Sequence, residues 1–299
     1  MSKQISVIEY YDRKTGEMNK EIVMGDALIK WAYRSLAGKI IAPFLFSSSF
    51  VSKLIGYYFD SKLSKPKIDK AIQELKIDES EFAVPKEEYS SFNDFFTRKL
   101  KDDARPYSQN DEDFSSPADG RVLVYNEILP ATLLKVKGVE DSLNNLFNKE
   151  ITDFDNGKVA VIRLCPADYH RYHFPCDGTV IEQVKVSGKY HSVNPVALEA
   201  EKRVFCQNKR EYTIIETTDF KKVAFMEVGA FGVGGIHQTF TGTKIEKMQE
   251  KGYFDFGGST VVLVFQKDAI RFCDDLIRNS EKGIETLIKA GETIAHKPN

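Results

Sequence analysis

An α+β fold is predicted by the sequence: a helical N-terminal part, residues 1–85, followed by a mainly antiparallel β core over residues 86–299. The N-terminal part reads as helical because Leu28, Trp31, Ala32, Ser35 and Leu36 recur at helical spacing, with Lys30 and Arg34 on another face. The core reads as β because five β-branched runs are separated by turn residues: KVAVIRL from Lys158, TVIEQVKV from Thr179, YTIIE from Tyr212, KVAFMEV from Lys222 and TVVLVF from Thr260. No regular helical pattern alternates with these runs, which argues against a doubly wound parallel sheet.

Along the N-terminal part, Met1–Glu9 lacks the apolar core of a secretory leader, so no signal peptide is expected. The longest apolar stretch, Ile40–Val51, is interrupted by Pro43 and three serines and falls short of the roughly 18 residues a spanning helix needs. Residues 27–70 carry eight Lys/Arg against two Asp, a local charge of +6, among Trp31, Phe44, Phe46, Phe50, Tyr57, Tyr58 and Phe59. A basic, amphipathic, aromatic-rich segment is the pattern of a helix lying in an anionic bilayer interface. A helical subdomain packed on the core with solvated lysines is the alternative. If the interface reading holds, charge reversal at Lys30, Arg34 and Lys39 weakens binding to anionic vesicles. Beyond the polar stretch around Pro85 the strands begin, and a last helix is expected over Asp268–Arg278, where Ile270, Cys273, Leu276 and Ile277 share a face.

Bulk properties exclude several classes of function. With 299 residues, 42% hydrophobic and 29% charged, the chain has the composition of a folded protein. A net charge of −2 provides no global field to gather nucleic acid. Cys165, Cys176, Cys206 and Cys273 are scattered without a CxxC pair, which points to a reduced setting rather than a disulfide framework. Cys165, His170, His173 and Cys176 form C-x4-H-x2-H-x2-C, which matches no common zinc spacing, so no metal is assigned.

Four residues could carry chemistry. His170 and His173 lie three apart in CPADYHRYHFPCDG, flanked by prolines and a glycine, as in a loop that presents imidazoles to a pocket. Either could transfer protons near neutral pH, and one could equally be structural. Asp119, in SPADGRV, is explained by the Asp-Gly turn alone but can also orient a histidine. Ser259 follows two glycines in DFGGSTVVLVF, where a glycine bulge at a strand start is the simpler explanation. As chemistry, Gly258 lets the Ser259 hydroxyl approach the preceding carbonyl unobstructed. An N-to-O acyl shift, elimination and hydrolysis would then leave a pyruvoyl group on a new N-terminus. The glycines of Gly229–Gly235 lack the order of a dinucleotide-binding loop.

These pieces together resemble the phosphatidylserine decarboxylase family. The segments that carry the resemblance occur in the family's order: FNDFFTRKLKDDARP from Phe92, SPADGRV from Ser116, LCPADYHRYHFPCDG from Leu164, SVNP from Ser192, NKREY from Asn208, MEVGAFGVGGI from Met226 and KGYFDFGGSTVVLVF from Lys251. The family often has Leu-Gly-Ser-Thr at its cleavage site; here Gly257-Gly258-Ser259-Thr260 keeps the Gly–Ser bond, as in a bacterial subgroup. The resemblance implies a barrel-sandwich-like β core with helical parts for membrane docking. It implies that Asp119 and His173 activate Ser259 in a protease-like triad that cuts the chain between Gly258 and Ser259, into a large chain 1–258 and a small chain 259–299. Ser259 would become the pyruvoyl cofactor, which forms a Schiff base with the amine of phosphatidylserine and accepts electrons as CO₂ leaves, giving phosphatidylethanolamine. His170 is the candidate proton donor. A homodimer of two-chain units, peripheral on the cytoplasmic side of the membrane, is the implied assembly, with no nucleic-acid partner. His191 and His237 fall within the matching segments without an implied role.

Two other readings use the same residues. A pyruvoyl enzyme for a soluble amino acid would not need the basic, aromatic N-terminal segment. A serine hydrolase using Asp119, His173 and Ser259 would keep an intact chain.

Overall fold

The apolar run that follows Ser259 forms a central strand of the structure, a computed structural model that describes residues 9–21, 49–127, 134–136, 139–141, 143–188, 204–232 and 235–298. In chain order the strands are β1 (Glu9–Asp12), β2 (Glu17–Lys20), β3 (Asp113–Ser115), β4 (Gly120–Tyr125), β5 (Leu134–Val136), β6 (Val139–Asp141), β7 (Lys158–Leu164), β8 (Arg171–His173) and β9 (Gly178–Val186). They continue with β10 (Arg210–Thr217), β11 (Lys222–Gly232), β12 (Ile236–Gln238), β13 (Lys244–Ile245), β14 (Glu250–Phe254), β15 (Gly257–Phe265), β16 (Arg271–Phe272), β17 (Glu285–Ile288) and β18 (Thr293–His296).

Ten strands form one sheet in the order β13-β9-β10-β11-β15-β7-β4-β17-β1-β2. Its pairings are antiparallel except for β1 beside β17. The central strands are apolar on both faces, as a sheet buried on both sides requires. One face carries Ile162, Leu164, Phe225, Val261 and Leu263, and it is covered by residues of two three-stranded sheets, β12-β14-β8 and β16-β18-β3. The other face carries Val161, Met226, Val228, Val262 and Val264, packed under Leu143, Leu146 and Phe147 of helix α4 (Leu143–Phe147).

The helices preceding the core are α1 (Ser49–Asp60), α2 (Lys67–Leu75) and α3 (Phe92–Phe96). In α2, Ile68, Ala71, Ile72 and Leu75 recur at helical spacing and are buried. Lys76, in the left-handed conformation with φ 54°, ends the helix by returning its N–H to the Ile72 carbonyl. At the start of α3 the Ser91 hydroxyl accepts the Asp94 N–H at 3.1 Å, while the Asp94 carboxylate accepts the Ser90 N–H at 2.8 Å. That cap fixes Phe92, Phe95 and Phe96 in a separate aromatic cluster with Ile72, Phe82 and Tyr89. Two further α-helices among the described residues are α5 (Val204–Gln207) and α6 (Asp274–Glu281).

All five predicted strands are present, and the fold is α+β with a mainly antiparallel core. Two elements differ from expectation. Residues 9–20, expected within a helical part, form the β1–β2 hairpin at one end of the large sheet, and Arg13 donates to the Thr293 carbonyl at 2.7 Å. The last helix begins at Asp274 rather than Asp268, because Asp268 has φ 55° and residues 271–272 pair with β18 instead. The helix expected around Leu28–Leu36, with Lys30, Arg34 and Lys39, lies outside the described residues.

Candidate active site

Ser259 occupies the third position of β15, between β11 and β7. It lies opposite Gly229 on one side and Leu164 on the other. The register of β11 against β15 is irregular between Gly229 and Gly232, so the glycine cluster makes a break beside the start of β15. Gly257 has φ 156°, a backbone state that side-chain-bearing residues rarely adopt. Ser259 is 1% exposed, and its Oγ has no hydrogen-bond partner among the described residues. The Thr260 and Thr213 hydroxyls of the same sheet are likewise unpartnered there, so the orphan hydroxyl leaves Ser259 free for chemistry without singling it out.

From Leu164, β7 runs directly into the loop that carries the two histidines. The loop is closed by Asp168, whose N–H donates to the Cys165 carbonyl at 2.8 Å and whose carboxylate accepts the Cys165 N–H at 2.7 Å. The Arg121 guanidinium also holds the Asp168 carboxylate. Beyond it, the His170 ring is fully buried against Phe96, with centroids 3.8 Å apart. His170 Nδ1 lies 2.9 Å from the Asp168 carbonyl. Only an N–H can satisfy a carbonyl, so Nδ1 carries the proton and Nε2, which has no partner, is bare. Burial pushes the imidazole pKa down to about 4, which keeps the ring neutral.

His173 ends β8. Its N–H donates to the Pro117 carbonyl at 2.8 Å, which ties the histidine strand to the SPADGRV turn. Its Nδ1 is buried without a partner among the described residues, its ring stacks on Tyr169 at 5.9 Å, and burial lowers its pKa. Asp119, two residues after Pro117, is completely buried, and both its oxygens are taken. Arg105 grips them through Nε and Nη2 at 2.9 and 2.8 Å, Lys289 Nζ donates at 3.0 Å, and the Ala290 N–H donates at 2.9 Å. Although its burial opposes the charged form, Lys289 and Arg105 hold the carboxyl far below its ordinary pKa. No hydrogen bond joins Asp119 to His173, or His173 to Ser259, among the described residues. The structure therefore links Asp119 to His173 through the backbone, while the carboxylate itself serves Arg105, Lys289 and Ala290.

Three features of this region were not read from the sequence. Arg105 and Lys289 neutralise Asp119, although Arg105 lies inside the DDARP segment. Phe96 covers His170. Glu227 and Lys251 form an ion pair at 2.6 Å with both side chains fully buried. The available signal was a carboxylate interrupting the apolar KVAFMEV run of a strand buried on both faces. His237, without a role in the sequence reading, is exposed, stacks on Tyr253 and bonds Asp255 through Nε2 at 2.7 Å. His191 lies outside the described residues. Among the described residues no cluster of His, Cys, Asp and Glu is arranged to hold a metal ion.

Comparison with known proteins adds an independent line. A family model described as phosphatidylserine decarboxylase matches residues 92–296. Phosphatidylserine decarboxylase proenzymes of Clostridium botulinum (strain Kyoto / Type A2) and Fusobacterium nucleatum are each 43% identical to this chain. The first aligns over 97% of this chain and 100% of its own length, the second over 98% of each. The proenzyme of Clostridium novyi (strain NT) is 44% identical over 97% of this chain and 100% of its own. The matched span includes the buried Ser259, the histidine loop and the Asp119 turn, and similarity extends over nearly the whole length of these relatives: the chain belongs to the phosphatidylserine decarboxylase family.

Proposed function

We propose that the chain is a proenzyme that cuts its own Gly258–Ser259 bond and then decarboxylates phosphatidylserine to phosphatidylethanolamine. The observation that carries this reading is the unpartnered, buried Ser259 hydroxyl, flanked by two glycines on its N-terminal side. Attack of Oγ on the Gly258 carbonyl moves the acyl group from nitrogen to oxygen. Elimination of the ester releases residues 1–258 with a carboxylate and leaves dehydroalanine, which water converts to a pyruvoyl group and ammonia. His173 is the proposed acceptor of the Ser259 proton, since its buried Nδ1 has no partner. Asp119 positions it through the turn whose Pro117 carbonyl binds the His173 N–H.

The residues present fit a pyruvoyl group at position 259. It would be held in the sheet between Leu164 and Gly229, on a strand whose buried hydroxyl has no structural partner to lose. When formed, the group supplies a ketone that takes up the electron pair released as CO₂ departs. His170 Nε2 is bare in the neutral resting ring, and a proton supplied to it during turnover would be readily passed on to the carbon that lost CO₂, since burial makes the protonated ring a strong acid. Its apolar burial beside Phe96 excludes water from that transfer.

The substrate stays in the bilayer, and the reading includes docking on the cytoplasmic face of the membrane, in a unit taken as half of a homodimer on the resemblance above. Exposed Leu54, Tyr57, Tyr58 and Leu63 lie on and just after α1, beside Lys62, Lys65 and Lys67, and support an interfacial surface. Among the described residues no helix is long and apolar enough to cross a membrane. The test supplies phosphatidylserine vesicles, and free amino acids in parallel, to the wild type and His170→Ala. The expected result is phosphatidylethanolamine from the wild type, with His170→Ala still cleaved but about 10²–10⁴-fold slower in turnover. Turnover of a free amino acid in place of the lipid would overturn the substrate assignment.

A further inference from the structure

On β11, Phe225, Glu227 and Gly229 lie opposite Leu263, Val261 and Ser259 of β15. Residues directly opposite share a face, so Glu227 lies on the Ser259 face, one diagonal step away, at about 7–8 Å between Cα atoms. The residue between them along that face is Gly229, which has no side chain to fill the space. Glu227 is fully buried. One carboxylate oxygen, Oε1, accepts from Lys251 Nζ at 2.6 Å. The second, Oε2, meets no donor in hydrogen-bond geometry among the described residues, while the Gln238 side chain lies near the carboxylate and favours its charged form.

Everything around Lys251 fixes this asymmetry. Its ammonium donates to Gln238 Oε1 at 2.9 Å and lies 4.9 Å from the Phe225 ring centre and 5.4 Å from that of Phe240, with Phe174 and Tyr172 slightly farther. Glu211, opposite Glu227 on β10 and equally buried, is met instead by Lys185 at 3.5 Å and by Gln238. Lys251 is thus committed to one oxygen of Glu227, and the other is a buried acceptor beside the Glu211 carboxylate and Gln238. A buried carboxylate with a free oxygen is costly unless a donor arrives to use it.

We propose that Glu227 Oε2 is the subsite for the substrate's ammonium group, which it binds and deprotonates beside Ser259. The inference rests on the decarboxylase reading above. A primary amine is mostly protonated at neutral pH and then has no lone pair with which to attack a carbonyl carbon. At Oε2 one N–H bond breaks and one O–H bond forms: ammonium plus carboxylate gives amine plus carboxylic acid, with no change of oxidation state. Burial raises the Glu227 pKa, which suits it to hold that proton, whereas His170 at about 4 is a weak acceptor. Lys251 then acts as a positioning residue, holding Oε1 so that Oε2 remains free.

The test compares covalent capture of two amines on the 259–299 fragment, read by intact mass in self-cleaved wild type and Glu227→Gln. Ethanolamine, reduced in place with cyanoborohydride, enters as a cation; methoxyamine is uncharged at neutral pH and needs no acceptor. Glu227→Gln is expected to capture ethanolamine about 10²-fold more slowly while capturing methoxyamine at the wild-type rate. The variant Glu227→Gln/Lys251→Met removes both charges together and covers the case in which an unpaired Lys251 prevents folding; it is expected to show the same selective loss. Equal capture of ethanolamine by wild type and variants, or equal slowing of both amines, overturns the assignment. If the wild type captures neither amine, the decarboxylase reading itself fails, and the inference falls with it.

Discussion

Four of the buried polar atoms that lack partners are Ser259 Oγ, Glu227 Oε2, His170 Nε2 and His173 Nδ1. They come from β11, β15 and the loop and strand that follow β7, so one stretch of the fold leaves its hydrogen-bonding capacity unspent. Asp119 shows the opposite behaviour, with four donors around one carboxylate. On the proposed reading, this contrast separates residues that would exchange protons from one that fixes a turn. His170 also has a consequence for stability. Its pKa falls from 6.5 to about 4 on folding, so below pH 6.5 the unfolded chain takes up a proton that the native ring refuses. The contribution is fully present above pH 6.5 and is lost as pH falls toward 4, about 3 kcal/mol in all. Chemical denaturation of wild type and His170→Gln across that range is expected to show a steeper acid decline in the wild type. Parallel pH profiles would refute the buried, neutral assignment.

At the level of elements, the legible parts were those with a physical pattern long enough to detect. The five β-branched runs became strands because both their faces are buried. The strands Glu9–Asp12, Arg171–His173 and Ile236–Gln238 were missed because three or four residues cannot establish a period of two. Their pairing is decided by distant partners such as Glu285 and Tyr253. The sequence drew attention to Ser259, Asp119 and both histidines through their turn and glycine contexts, and their expected roles came from the family resemblance. It could not show that Arg105 and Lys289 consume Asp119, since those contacts join residues 14 and 170 positions apart. Helix α1 illustrates how elements connect surface to site. Phe59 packs on Phe256 with ring centres 4.1 Å apart, and Phe256 packs on Phe96, which covers His170. The opposite side of the segment leaves Tyr57 71% and Leu63 77% exposed. Tyr57→Asp and Leu63→Asp are each expected to reduce cosedimentation with anionic vesicles by about tenfold. Unchanged sedimentation would remove α1 and the turn after it from the docking surface.

For the whole molecule, the proposed cut at Gly258–Ser259 would separate chains that the sheets keep interleaved. β15 lies between β11 and β7, β17 between β4 and β1, and β18 beside β3. The 41 residues from Ser259 onward supply strands to two sheets that are otherwise built from residues 1–258. Cleavage there would leave the core assembled, with the new N-terminus buried where Ser259 was. The most direct measurement is intact mass under denaturing conditions for wild type and Ser259→Ala. The account predicts two chains for the wild type, the smaller being 259–299 with a pyruvoyl group in place of its serine, and one uncut chain for Ser259→Ala. A wild type that remains a single chain of 299 residues, or a Ser259→Ala variant cut at the same bond, would contradict it.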